Sequence, residues 1–182
     1  LKKIQSSITM TVIIVTFSML FATLCMGYMV LRVRSSVWPP MGMTKIGLTI
    51  PSISTLIIFL SSVFYMKFEK WYNLRVEKKY YYYFSIFFGG AFFVSQYVLW
   101  FQLERMGINP SSGIFGSMLY GFTWIHVAHI VIGLILLLCL PNMLKRFDEG
   151  SLDGKLRVKN VGIFWHFLGL VWGVLYLMLF VA

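Results

Sequence analysis

Five runs of apolar residues, each long enough to cross a lipid bilayer, constrain this chain more than any other feature in it. They cover about Ile8 to Leu31, Leu48 to Met66, Tyr80 to Leu103, Gly116 to Leu140, and Val161 to Ala182. A helix crosses the roughly 30 Å hydrocarbon core with about 20 residues, which each run supplies. The runs are continuous and do not alternate, so they are not the strands of a closed barrel. With 59% hydrophobic and 12% charged residues, against roughly a quarter charged in soluble proteins, a water-soluble fold has too much apolar surface to hide. The expected fold is an all-α integral membrane protein, a bundle of about five transmembrane helices forming one domain over residues 1–182. Pro51 is expected to start the second helix and Pro141 to end the fourth, where a missing N–H costs little.

A net charge of +10 in a soluble protein would suggest nucleic acid, but here the charges lie in short clusters between the apolar runs. That is the pattern of topology signals and headgroup contacts, and nucleic acid is excluded as a partner. One side of the membrane receives Lys2, Lys3, Lys67, Lys70, Arg75, Lys78, Lys79, Lys145, Arg146, Lys155, Arg157 and Lys159; the other receives Arg32, Arg34, Lys45 and Arg105. The asymmetry predicts a cytoplasmic N-terminus and an external C-terminus. Cys25 and Cys139 fall toward opposite faces, so no disulfide is expected between them. The first run is full length and lacks a small-residue cleavage site, so it reads as a span and not a cleaved signal.

All six acidic residues, Glu69, Glu77, Glu104, Asp148, Glu149 and Asp153, fall in the predicted loops or at their edges. A proton pump or coupled transporter normally carries an ionisable group near mid-membrane, so the pattern argues against a pathway through this chain. The three histidines, His126, His129 and His166, do lie within spans. A bis-histidine haem needs two of them on different helices at similar depth, which leaves only a His129–His166 pair geometrically open. The alternative is that each imidazole hydrogen-bonds across helices or to a headgroup. Glycines recur at Gly89, Gly90, Gly121, Gly133, Gly169 and Gly173; the last two form a GxxxG pair that offers a flat strip to another helix. Trp38, Trp71, Trp100, Tyr72 and Tyr80 to Tyr83 cluster at span ends, the usual interfacial belt. No Gly-rich phosphate loop, Cys–His metal box or nucleophile triad is present, so no catalytic, cofactor-binding or metal-binding residue is assigned.

Several strings resemble subunit III of the haem-copper (cytochrome c and quinol) oxidase family in its five-helix bacterial form. SSGIFGSMLYGFTWIHVAHIVIG, from Ser111 to Gly133, resembles the family's helix with a His-x-x-His pair, here His126 and His129. FWHFLGLVW, from Phe164 to Trp172, resembles its terminal helix with a Trp-His-Phe core, here Trp165, His166 and Phe167. YMVLR (Tyr28 to Arg32) followed by WPP (Trp38 to Pro40) resembles its first external loop. Three acidic positions of the family pattern are replaced, at about Phe17, Leu99 and Gly169, which puts in doubt any direct proton-handling role.

The resemblance implies a non-catalytic subunit of a bacterial inner-membrane oxidase, supporting sustained, proton-coupled oxygen reduction in aerobic electron transport. It implies haem and copper in partner subunits, contact with catalytic subunit I, subunit II and other oxidase subunits, and a quinol:cytochrome c reductase as a supercomplex partner. It also implies ordered phospholipid. Lys145, Arg146, Lys155, Arg157 and Lys159 are suitable headgroup contacts; His126, His129, Trp165 and His166 are structural or lipid-contact candidates, and Gly169 and Gly173 are helix-packing candidates. Two other readings stay open: an accessory membrane subunit of a nitric oxide reductase, and a haem-binding membrane cytochrome.

Overall fold

The computed structural model describes residues 2–36, 47–74, 76, 78–145 and 151–181, with side chains from Ile8 onward. Trp38 with its Pro-Pro pair, Lys45, Arg75, Glu77, Arg146, Asp148 and Glu149 lie outside the described residues, as do the side chains of Lys2 and Lys3. The described residues form five α-helices and no strand: α1 (Lys2–Arg34), α2 (Thr49–Asn73), α3 (Tyr80–Arg105), α4 (Ile114–Leu144) and α5 (Leu152–Tyr176). A π-helical turn, Leu177–Val181, continues α5. All five are long and apolar enough to cross a membrane.

The helices alternate in direction. The start of α2 meets the end of α5 through Ser52 and Tyr176, and the end of α3 meets the start of α4 through Trp100 and Thr123. α2 packs most extensively on α3, α5 packs on both α2 and α4, and α1 joins the bundle along α5. Residues inside and outside are sorted as a bilayer demands. Leu56, Phe59, Phe87, Val94, Leu138 and Leu170 are exposed, whereas Ser54, Ser61, Ser85, Gln96, Thr123 and His126 are fully buried. With apolar lipid outside, burying hydrocarbon gains little; small and polar residues that allow close approach or bond across helices mark the inner faces instead. On α2 that face is the helically spaced set Pro51, Ser54, Ile58, Ser61, Tyr65 and Phe68.

The helices overrun the apolar runs because hydropathy marks only the length in hydrocarbon. α5 begins at Leu152, nine residues before the predicted Val161, because Ser151 caps it by accepting from the Gly154 N–H at 3.2 Å, with Asp153 in the positive first turn. α2 continues to Asn73, which places Glu69 within the helix, half buried, and not in a loop. Pro141 does not end α4: the helix runs on to Leu144 with Pro141 inside its last turn. Proline there removes the N–H that would bond the carbonyl of Leu137, and the buried Tyr82 hydroxyl donates to that carbonyl instead. Tyr82 is therefore a core residue and not part of the interfacial belt.

Between α3 and α4 the chain turns tightly. Gly107 has φ 74°, and the N–H groups of Gly107 and Ile108 donate to the carbonyls of Glu104 (2.9 Å) and Leu103 (3.0 Å). This is a Schellman closure, in which the left-handed residue favours glycine. Ile108 and Leu103, both fully buried, are the apolar pair that accompanies it.

Candidate functional site

The best-defined polar feature of the bundle is a seam between α2 and α5. Along it the Tyr176 and Ser52 hydroxyls lie 2.8 Å apart, Trp172 Nε1–H donates to Thr55 Oγ1 at 3.0 Å, and Trp165 Nε1–H donates to Ser61 Oγ at 3.1 Å. Ser62 pairs with His166 Nδ1, the Tyr65 hydroxyl donates to the Val158 carbonyl at 2.8 Å, and Lys155 Nζ donates to the Asn73 carbonyl at 3.2 Å. The partners keep an antiparallel register from one end of both helices to the other. They are separate rungs: Thr55 and Ser61 stand about 9 Å apart along the helix axis. The seam ties helices together and is not one hydrogen-bonded chain.

Trp165 is the hub. Its ring is buried, and Gly89 of α3 and Gly133 of α4 make room for it: a methyl group built at Gly89 would meet the ring at 2.8 Å, and one at Gly133 would meet it at 3.0 Å. One side chain of α5 thus touches α2, α3 and α4. A second close crossing occurs where Tyr65 lies against Gly162, with Glu69 beside it. Gly169 and Gly173 are different. A methyl group at Gly169 would make ordinary contact with Ile58, 3.9 Å away, and one at Gly173 would meet nothing within 4 Å. The GxxxG pair is not where helices of this chain approach most closely.

The three histidines point to three different places. His126 is fully buried, stacked on Trp172 (5.5 Å between centroids, 28°), with Phe21 and Phe92 edge-on. His129 faces α1, 4.4 Å from the Phe17 ring and 5.6 Å from Phe21, and its Nδ1–H donates to the Ile125 carbonyl at 2.6 Å. Phe17, where the resemblance expects a glutamate, thus covers His129. His166 faces α2, beside Ser62 and Tyr65. His129 and His166 share no site, and no group of three or more metal-ligating side chains occurs among the described residues. Both ring nitrogens of His126 and both amide atoms of Gln96 are buried without a hydrogen-bond partner among the described residues. Gln96 lies one turn beyond Phe92 on the inner face of α3.

Of the basic candidates, Lys145 caps the end of α4, while Arg157 and Lys159 are exposed on the first turns of α5. They share one end of the bundle with the close of α2, to which Lys155 bonds. Lys78 lies 3.8 Å over the Trp71 ring at the same end. Cys25 and Cys139 are unbonded. Ser61 and Thr55 carry no motif in the sequence, Trp172 only closes the terminal-helix string, and Tyr82 reads there as a belt residue; the available signal was the small and hydroxyl residues at helical spacing on α2.

The sequence model of the family described as Cytochrome c oxidase subunit III matches residues 2–182. Among similar proteins, cytochrome c oxidase subunit 3 of Thermostichus vulcanus is 27% identical over 174 residues, covering 93% of this chain and 84% of the relative. The subunit 3 of a Synechocystis strain is 26% identical over 179 residues, covering 92% and 71%. A probable subunit 3 of Rickettsia felis is 27% identical over 158 residues, covering 82% of this chain and 54% of that protein. These names favour the oxidase over the reductase-accessory and cytochrome readings. With a match across its whole described length and a five-helix membrane bundle behind it, this chain belongs to the cytochrome c oxidase subunit III family.

Proposed function

We propose that this multi-pass membrane protein, a non-catalytic subunit associated with other oxidase subunits, packs directly on catalytic subunit I and keeps it working over many turnovers without itself carrying electrons or pumped protons. The observation that carries this reading is the bundle interior. From Trp165 to Trp172 it is packed with rings, glycines and a few buried polar side chains, the imidazole of His126 is enclosed by Trp172, Phe21 and Phe92, and no acidic residue lies in the middle of any described helix. A conduit needs groups that bind what passes, and an intramembrane carboxylate is costly enough to be kept only for such a purpose. Haem and copper belong, in this reading, to the partner subunits.

Charge asymmetry supports a cytoplasmic N-terminus and external C-terminus in a bacterial inner membrane. The exposed Lys145, Arg157 and Lys159 then stand at the cytoplasmic headgroups, where basic side chains favour phospholipid. Arg146 is proposed to join them. Gly169 and Gly173, unused by close contacts inside the chain, suit the helix of a partner subunit. Subunit II and a quinol:cytochrome c reductase are proposed as further neighbours. Purification of the chain in mild detergent tests the assignment: subunits I and II, haem and copper should accompany it. Co-purification with a nitric oxide reductase free of copper, or a Soret band from the isolated chain, would overturn it.

A further inference from the structure

At the end of the bundle opposite the basic cluster, a cleft of about 260 Å³ opens between the close of α3 and the start of α4, lined chiefly by Tyr97, Trp100, Phe101, Glu104, Tyr120 and Trp124. Trp124 stands nearly perpendicular to both neighbours, 6.4 Å and 89° from Trp100 and 5.6 Å and 76° from Tyr120. The polar tips of those neighbours are used inside the protein. Trp100 Nε1–H donates to Thr123 Oγ1 at 3.0 Å, and the Tyr120 hydroxyl is shared between the carbonyls of Ile108 (3.1 Å) and Trp100 (3.2 Å). Ordinary belt residues turn their polar tips to the interface. Trp100 and Tyr120 are thereby held in place, and with the exposed Trp124 they form an aromatic corner lining the cleft.

The charges at the corner are paired in sign. Glu104, exposed, is the only acidic residue in the described turn from Glu104 to Gly113 that joins α3 to α4. Next to it, Arg105 places its guanidinium 4.3 Å over the Phe101 ring at the rim. The 26 residues of α3 extend about 39 Å, beyond the roughly 30 Å hydrocarbon core, so its last turn reaches the headgroup layer. Below the cleft an apolar strip continues down α3 through Val98, Tyr97 and Val94, all exposed.

We propose that this cleft binds the headgroup of a zwitterionic phospholipid, with the ammonium group against Trp100, Tyr120 and Trp124 beside the Glu104 carboxylate and the phosphate at Arg105. Aromatic corners attract alkylammonium cations through the ring quadrupole, more strongly when the cation is desolvated. The carboxylate adds charge, and the neighbouring guanidinium supplies fork-like donors to a phosphate. The volume is below the roughly 300 Å³ of small-molecule sites, enough for a headgroup and not a whole drug-sized ligand. The strip along α3 is placed for the acyl chains, which a free amine or a lysine of another protein does not require.

The test uses the oxidase complex containing the full chain, delipidated and then offered phosphatidylcholine, phosphatidylethanolamine or phosphatidylglycerol with matched acyl chains, with retained lipid counted by native mass spectrometry. Wild type should hold one more zwitterionic lipid than either E104Q or W124A, each of which should weaken that site about tenfold. R105Q should weaken retention of all three lipids at this site, since all carry the phosphate. Both Glu104 and Trp124 are exposed, so these variants are expected to fold. Equal retention of phosphatidylglycerol at this site, an unchanged count in both E104Q and W124A, or a side chain of another subunit occupying the cleft in the complex would each overturn the proposal.

Discussion

The hydroxyl of Tyr82 on α3 bonds the carbonyl of Leu137 on α4, the one acceptor that Pro141 leaves without its helical partner. A defect in one helix is thus repaired by its neighbour. Tyr82→Phe should lower stability by about 1–3 kcal/mol, since a buried carbonyl is then left unsatisfied. In a Pro141→Ala background the restored N–H can serve Leu137, so the same change should cost clearly less. Thermal unfolding of the four proteins in detergent gives the coupling directly.

Gly89 and Gly133 leave no room for a side chain beside Trp165. Alanine at either position should destabilise by about 1–3 kcal/mol through overpacking, and Trp165→Phe combined with the alanine should recover part of the loss. Gly173→Ala meets nothing within the chain and should leave its stability unchanged. If Gly173 faces a partner helix as proposed, that variant should instead reduce the amount of chain co-purifying with subunit I.

Rungs of the α2–α5 seam should differ in importance with depth. Thr55→Val leaves the indole N–H of the buried Trp172 without its acceptor, at an expected cost of about 1–3 kcal/mol. Ser52→Ala removes the rung to Tyr176, which is only partly buried near the helix ends, so its expected cost is below about 1 kcal/mol. Comparing unfolding midpoints of the two variants checks the order.

His126 is an aromatic ring among aromatic rings, with neither nitrogen bonded by a described residue. Replacing a polar group that lacks a partner with an apolar one of similar shape removes a burial penalty. His126→Phe should therefore fold and be at least as stable as wild type in the same unfolding assay. A loss of more than about 2 kcal/mol would mean that the imidazole holds a bond this bundle does not supply by itself.

Much of this architecture can be read from the residues. Continuous apolar runs announce five helices, because nothing but a helix satisfies that much backbone in lipid. Helix ends are less legible: Ser151 caps α5 well outside the apolar run, and Tyr82 lets α4 pass through Pro141. Interior contacts are the least legible. The GxxxG spacing of Gly169 and Gly173 follows a sound packing rule, yet the tight crossings among the described helices form at Gly89, Gly133, Gly154 and Gly162, where bulky rings from other helices arrive. Which glycine meets which ring depends on helix register, and a single sequence does not contain it. The same limit applies to the histidines, whose spacing leaves a shared site open while their directions exclude it.

In the proposed role this chain supports oxygen reduction without conducting its electrons or protons. That role is tested most directly by comparing complete oxidase with oxidase stripped of this subunit, following oxygen consumption from the first turnovers to inactivation. The stripped enzyme should keep its haem and copper and begin at nearly the full rate, then lose activity faster as turnovers accumulate. An initial rate abolished with the metal centres intact would contradict the account and require an essential pathway through this bundle.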